Sequence, residues 1–354
     1  FIVLCRRWQL FTQATVAIDG SKFKAVNHRD RNFTSAKMKT RMALIEDSIA
    51  EYLMHLDRMD RKETPRNPRK AARLQERIAT LKEEMARLKG LKRQMEASPH
   101  GQVSLTDPDS RSMASQGKGT GIVGYNVQTA VETKHHLIVT HEVTNVGSDR
   151  AQLVKMAEAA REALGTTELT AIADRGYYSS EQIKGCEDAG IAPVVPKPIT
   201  SNSSAGGRYE KWDFTYLPKR DAYRCPAGEY AIHRFASEMN GLMIHKYWSS
   251  ACPRCALQSK CTTSKYRRLT RWEHEAVLER MQARLERDPT LMNIRRRTVE
   301  HTFGTIKAWM GATHFLCRRL PRVSAEMSLH VLAYNMKRVM KIMGTGEMIE
   351  ALRA

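Results

Sequence analysis

Apolar positions recur with two different periods along this chain, and each change of period marks an element. Residues 15–26 (TVAIDGSKFKAV) read as a strand, with Val16 and Ile18 leading into Asp19. Residues 37–60 turn to helical spacing. After the polar break ETPRNP, a second helix is predicted from about 69 to 97, where Leu74, Ile78, Leu81, Met85, Leu88 and Met95 follow heptad-like steps. That seam lasts only about three heptads, which suits a helical hairpin better than a coiled-coil dimer. Residues 100–120, rich in Gly, Ser and Asp, read as a loop. GYNVQTAVE and HHLIVTHEVT then form a predicted β-hairpin. Residues 150–164 make an amphipathic helix and LTAIAD (169–174) a buried strand. SSEQIKGCEDAG is a short helix with Ser as its cap and Gly at its end, and APVVP is another strand. Aromatics, glycines and cysteines break the pattern over 200–270. From about 272 onward the chain reads as mostly helical, interrupted near 311–322.

The order is therefore strand, hairpin, helix, strand, helix, strand. Setting the 37–98 helices aside as an insertion leaves an α/β fold, a mixed sheet flanked by helices of the ribonuclease H type. The expected division is a first core part at 1–36, a helical-hairpin insertion at 37–98, a second core part at 99–199, a Cys-rich insertion at 200–270, and a C-terminal helical part of the core at 271–354.

Composition narrows the function. The 354 residues carry 58 Lys and Arg against 38 Asp and Glu, a net charge of +20 spread along the chain. A partner with a dense phosphate backbone is the natural reading, and a solvated basic surface is the bland alternative. No apolar run is long enough to span a bilayer, and no secretory signal is visible at Phe1. The expected location is a reducing cytoplasm. Four of the seven cysteines fall between 225 and 261, a spacing that points to a metal site and not to a disulfide framework. Phe1 opens in what reads as the middle of a domain, so an N-terminal truncation is expected.

The candidate chemistry rests on three acids. Asp19 and Asp174 end or interrupt β-type runs, and Glu300 lies in the basic helical stretch RRRTVEHTFGTIKAW. Two strand-borne aspartates and a helix-borne glutamate suit two magnesium (or manganese) ions, because hard divalent ions prefer carboxylate oxygens. Such a pair stabilises the attacking and leaving oxygens of phosphodiester chemistry. Arg296 lies four residues before Glu300 and Lys307 seven after. On a regular helix both return to within roughly 40° of it, offering cations for DNA phosphates, with Phe303 near the same stripe. Arg295 and Arg297 complete a basic run suited to phosphate. Taken singly, each aspartate is equally a turn or cap, and the helix an exposed basic face. Asp107, Asp109 and Asp149 compete for a metal role from polar loops.

Cys225, Cys252, Cys255 and Cys261 suit a structural zinc, the second and third as a knuckle-like pair. Four reduced thiols are the alternative, and His233 or His245 could replace one ligand. Trp212, Tyr223, Tyr247 and Trp248 share this segment, followed by Arg267, Arg268 and Arg271 as phosphate-type cations. His135 and His136 flank the hairpin turn and are read as solvent-facing or locally packed.

VAIDGSKFKAVN, GYNVQTAVETKHHLIVTHEVTN, ADRGYYS and RRRTVEHTFGTIKAWMGATHFL together resemble the DDE transposases of bacterial insertion sequences, nearest the 1182 group related to the IS-four-like families. The resemblance covers nearly all of residues 1–345. It implies a ribonuclease H-like core with catalytic, magnesium-binding Asp19, Asp174 and Glu300. It also implies double-stranded DNA partners (terminal inverted repeats and target DNA), a homodimer on DNA, and a nucleoid-associated bacterial protein. Related transposases carry a Tyr, Arg, Glu, Lys signature. Arg296, Glu300 and Lys307 match its last three positions, and Asn293 stands where the Tyr falls. An insertion before the glutamate contacts the transposon end in relatives, which makes Trp248 a candidate to stack on an unpaired base. Two rivals remain open: a truncated relic that only binds DNA, and a ribonuclease H-like nuclease with another substrate.

Overall fold

A computed structural model describes every residue except 12–13, 29–30, 62–67, 99, 115–120, 199–206 and 354. In chain order the helices are α1 (Ile2–Arg7), α2 (Ser35–Asp60), α3 (Pro68–Ala97), α4 (Leu153–Leu164), α5 (Ser180–Asp188), α6 (Gln258–Cys261), α7 (Glu275–Arg287), α8 (Leu291–Gly304), α9 (Leu320–Met343) and α10 (Thr345–Arg353). Among the described residues no helix is long and apolar enough to cross a membrane. The chain divides into two compact units. One comprises 1–13, 17–149 and 296–354, the other 14–16 and 150–295.

The first unit is built on β1 (Thr15–Lys24) and its neighbour β5 (Ile122–Glu132). β6 (Ile138–Thr144) pairs antiparallel with β5, as the hairpin reading expects, with a register irregularity between Ala130 and Val131. β5 is buried over nine consecutive positions. Its close approach to β1 needs Gly124, where a Cβ would overlap the Phe23 carbonyl oxygen and lie 2.9 Å from the Phe23 carbonyl carbon. The core unites Phe23, Tyr125, Val127 and Ile138 with Phe303, Ile306, Phe315, Val323, Met327 and Tyr334. Phe315 stacks 5.7 Å from Phe23 and edge-on to Tyr125 at 5.8 Å. Buried Asn335 on α9 accepts from the Ile138 N–H (2.9 Å) and donates to its carbonyl (2.8 Å), satisfying backbone of β6.

The loop expected over 100–120 contains two short strands. β3 (Gln102–Ser104) pairs with β2 (Asn32–Thr34), and β4 (Arg111–Met113) pairs with β5. Three residues are too few for alternation to show against a polar background. The β2–β3 ribbon sits at the base of the α2–α3 hairpin, whose seam is Met38, Ile45, Met85, Leu88, Leu91 and Met95. These six positions repeat at helical spacing, seven apart on α2 and three or four apart on α3, which makes the pair legible as a hairpin. Arg41 Nε donates to Glu84 Oε1 across it at 3.1 Å.

In the second unit, β7 (Leu169–Ile172) and β8 (Ile191–Val194) run parallel, and the Thr170 N–H donates to the Ala14 carbonyl at 2.8 Å. α5 begins after Ser179 as expected, although the Ser179 side chain makes no capping bond. Its Glu187 takes ion pairs from Arg280 (2.5 Å) and Arg284 (2.6 Å) on α7. Residues 215–272 form a five-stranded antiparallel sheet, β13-β12-β11-β10-β9, from β9 (Thr215–Leu217), β10 (Ala222–Arg224), β11 (Tyr230–Met239), β12 (Leu242–Trp248) and β13 (Leu269–Trp272). Phe214, Tyr223, Ala231, Tyr247 and Leu269 form its core.

Candidate functional site

Val16, Ala17 and Ile18 are buried, and after them β1 turns partly open to solvent at Asp19. Gly20 follows, where any side chain would have to displace the ends of Gln128, Asp149 and Asn126. A Cβ there would overlap Gln128 Nε2 and lie 2.6 Å from Asp149 Oδ1. That crowd is an ordered network: Gln128 Nε2 donates to Asp149 Oδ1 at 2.6 Å and Asn126 Nδ2 donates to the same oxygen at 2.7 Å. Asp149, one of the competing loop acids, is thus an anchored carboxylate beside Asp19-Gly20.

Lys307 reaches the same strand. It donates to Ser21 Oγ at 2.7 Å and to the Lys22 carbonyl at 2.9 Å, and its ammonium lies 4.4 Å from the Phe23 ring centre. Burial pushes its pKa below the ordinary lysine value, while the Asp19 charge pulls it up. The expectation that Lys307 shares an exposed face with Glu300 fails at this point. Regular α-helix ends at Gly304, and Thr305–Trp309 continues as a π-turn, with Met310 N–H bonded to the Thr305 carbonyl at 3.0 Å. Wider winding breaks the 100° projection and aims Lys307 at β1. Phe303, expected near the functional stripe, is a core residue 6.3 Å from Phe23.

Glu300 is exposed on α8, as are Arg296 and Arg297, while Thr298, Val299, Thr302 and Phe303 face inward. It borders a groove shared with Trp309, Lys337 and Lys341, none of which the sequence reading singled out. Below the groove, the Tyr334 hydroxyl donates to the His136 carbonyl (2.8 Å) and meets His301 Nδ1 (3.2 Å). His136 packs locally, its ring 5.1 Å from that of His301. Burial, then the charges of His301, Arg338 and Arg297, push its pKa down to about 4.

Asp174 belongs to the second unit. It caps the Arg175–Tyr177 turn, Oδ1 accepting from the Gly176 N–H at 2.8 Å, and Oδ2 lies 3.5 Å from Arg295 Nη2. Arg295 therefore faces a carboxylate, unlike the exposed Arg296 and Arg297. Asp107 and Asp109 are committed elsewhere. Asp107 is buried, accepting from the Tyr125 hydroxyl (2.8 Å) and the Arg319 N–H (3.0 Å), and Asp109 accepts from the Leu320 N–H (2.9 Å) at the start of α9.

The four clustered cysteines line one cavity of about 40 Å³. Two backbone turns present them: Gly228 N–H donates to the Cys225 carbonyl (2.8 Å), and Cys255 N–H to that of Cys252 (3.2 Å). Burial pushes the Cys261 thiol up, Arg267 pulls it down, and the other three thiols push it up again. Their donor chemistry fits a thiophilic ion such as zinc. Among the described residues, however, no group of three or more His, Cys, Asp or Glu side chains is arranged as a metal site as it stands. His233 and His245 bond to each other instead, at 3.1 Å.

Trp248 is half-buried on β12, edge-on to Phe235 at 5.9 Å, with the guanidiniums of Arg234 and Arg268 at 5.4 and 5.8 Å from its ring. Tyr223 and Tyr247 are core, whereas Trp212 is 73% exposed. Arg271 is buried against Glu279 and lies 3.7 Å over the Tyr216 ring, which removes it from the phosphate-type cations.

Residues 95–336, more than half of the chain, match the family described as Transposase DDE domain. A search of curated proteins finds no match. Among solved structures, the chain is similar to a piggyBac transposase seen by cryo-EM in a synaptic complex with hairpin DNA. Identity is 9% and the TM-score 0.30, over 66% of this chain and 44% of that one, so the chain spans less than half of that protein's length.

Proposed function

This chain belongs to the transposase DDE-domain family, and on that footing we propose that it is an insertion-sequence transposase, which cuts and rejoins DNA through Asp19, Asp174 and Glu300. The observation that carries this is Lys307. It lies seven residues after Glu300 in sequence, yet its ammonium is bonded to β1 beside Asp19. Helix and strand that would bear two of the three acids are thereby tied together inside one unit, and a ribonuclease H-like core is the arrangement in which such an assembly makes sense.

The reaction is an in-line displacement at phosphorus. A water oxygen, or later a terminal 3′ hydroxyl, forms the new P–O bond while the old P–O3′ bond breaks and the departing oxygen takes a proton. The three carboxylates are the donors that would be drawn together on magnesium or manganese, which when bound supplies activation of the attacking oxygen and charge relief at the leaving oxygen. Lys307 holds the β1 backbone and keeps a cation beside Asp19. Arg296 and Arg297, both exposed, would contact phosphates, and Trp248 with its two flanking arginines would meet a strand of the transposon end. Cys225, Cys252, Cys255 and Cys261 line one cavity and would have to close further around a structural zinc, which would then staple a sheet whose core is small. A homodimer on paired DNA ends in a bacterial, nucleoid-associated setting completes the reading.

The test is magnesium-dependent nicking of a labelled duplex carrying the element's terminal repeat. Asp19→Asn, Asp174→Asn and Glu300→Gln are each expected to abolish nicking and leave DNA binding intact. Nicking at the unmodified rate by any one of them removes that residue from the site. A second reading is favoured by Asn293 at the Tyr position of the signature: binding without nicking by the unmodified chain would make it a DNA-binding relic.

A further inference from the structure

Trp309 is 83% exposed, the most open large apolar side chain among the described residues. An indole left in water forgoes the burial that usually stabilises it, so a bare one at a groove edge marks a contact surface. The last residue of the π-turn, it borders the groove that also holds Glu300, Gly304, Lys337, Arg338 and Lys341. The groove has a volume of about 460 Å³, within the range of roughly 300–1,000 Å³ typical of sites that take a small molecule or a single nucleotide. A Cβ on Gly304 would meet nothing within 4 Å, so the wall beneath the indole is open. Three cations face one carboxylate there. Lys337 and Lys341 are exposed, one helical turn apart on α9, and the Arg338 guanidinium is fixed by bonds to the His135 carbonyl at 2.7 and 3.0 Å.

We propose that this groove is a binding site for an unpaired nucleotide of the DNA strand, its base stacked on Trp309 and its flanking phosphates on Lys337 and Lys341. The inference rests on the transposase reading for its partner and goes beyond it by assigning a stacking site next to Glu300 within the first unit. Charge decides between occupants. A polyanion complements two free ammoniums and a fixed guanidinium, and an aromatic face accepts any base, because every base has a π-face. A groove for an apolar protein segment would not be ringed by cations.

Binding of a fluorescein-labelled oligothymidylate, measured without magnesium so that no strand is cut, tests this directly. Trp309→Ala is expected to weaken affinity on the order of 10-fold to 100-fold with the salt dependence unchanged. Trp309→Phe should stay within a few-fold of the unmodified chain. The Lys337→Ala, Lys341→Ala double variant should lower the log–log salt slope by about 1.4, roughly 0.7 per lost phosphate contact. Equal affinity of Trp309→Ala and the unmodified chain overturns the proposal and leaves the transposase reading standing. A change in oligomeric state with unaltered oligonucleotide binding overturns it in favour of a chain–chain contact. If the unmodified chain binds neither oligothymidylate nor repeat duplex, the transposase reading falls and this inference with it.

Discussion

Lys307 and His136 show how a single side chain takes its chemistry from where it is held. Lys307 gives two hydrogen bonds to β1 over a ring face, so Lys307→Met is expected to lower stability by about 1–3 kcal/mol, read from urea midpoints. Lys307→Arg is not expected to rescue it, because a planar fork cannot replace a compact ammonium over Phe23. His136 carries a pH prediction. Its folded pKa of about 4 lies below the ordinary 6.5, so between those values the unfolded chain binds a proton that the folded chain refuses. Stability should therefore fall as pH drops from 6.5 toward 4. His136→Asn should flatten that fall, since Asn tolerates the φ of 55° found here. Comparison of urea midpoints at several pH values checks both statements. The groups facing His136 that set this behaviour are His135, His301, Arg297 and Arg338.

The elements differ in how far the sequence announced them, and the reason is periodicity. β1, β5, β6, β7 and β8 were readable because one or both of their faces are buried and the apolar run is long enough to show. β11 was not. Its burial runs exposed, buried, exposed and then mostly open, which leaves no alternation to detect. The π-turn was equally hidden, since i→i+5 winding has no side-chain signature in Thr305–Trp309. Glycines did carry a legible message only in part. Gly20-after-Asp reads as a turn, but the close β1–β5 approach at Gly124 is a tertiary fact. Gly124→Ala is expected to destabilise the fold by about 1–3 kcal/mol or more, because the new methyl meets the Phe23 backbone and not a movable side chain. Thermal unfolding of the variant measures it. In the α2–α3 hairpin, Leu88→Ala should cost about 2–5 kcal/mol, given 2% exposure within the helix seam.

At the level of the molecule, two units are assembled from interleaved stretches, with β1 and α8 each contributing residues to both. Each candidate acid sits where an element changes character: Asp19 as β1 opens, Asp174 at the turn after β7, Glu300 shortly before the α-to-π transition. The cysteine-bearing sheet has a core of only a few aromatic and aliphatic side chains, so a metal staple is expected to matter there. The purified chain should carry about one zinc by elemental analysis, and a zinc chelator should expose the 225–261 segment to proteolysis while leaving the first unit folded. Cys252→Ser should behave like the chelated protein. Retention of full protease resistance without metal would remove the zinc assignment. The family, the basic charge, the order of the main strands and helices and the identities of the candidate acids were all present in the linear chain, because local period, composition and motif order survive without a fold. The partners of those residues were not. Lys307 beside Asp19, Asp149 held by Asn126 and Gln128, and Trp309 bare above Lys337 and Lys341 are meetings between segments far apart in sequence. Only packing decides them, since a side chain's direction depends on the winding and neighbours of the element that bears it.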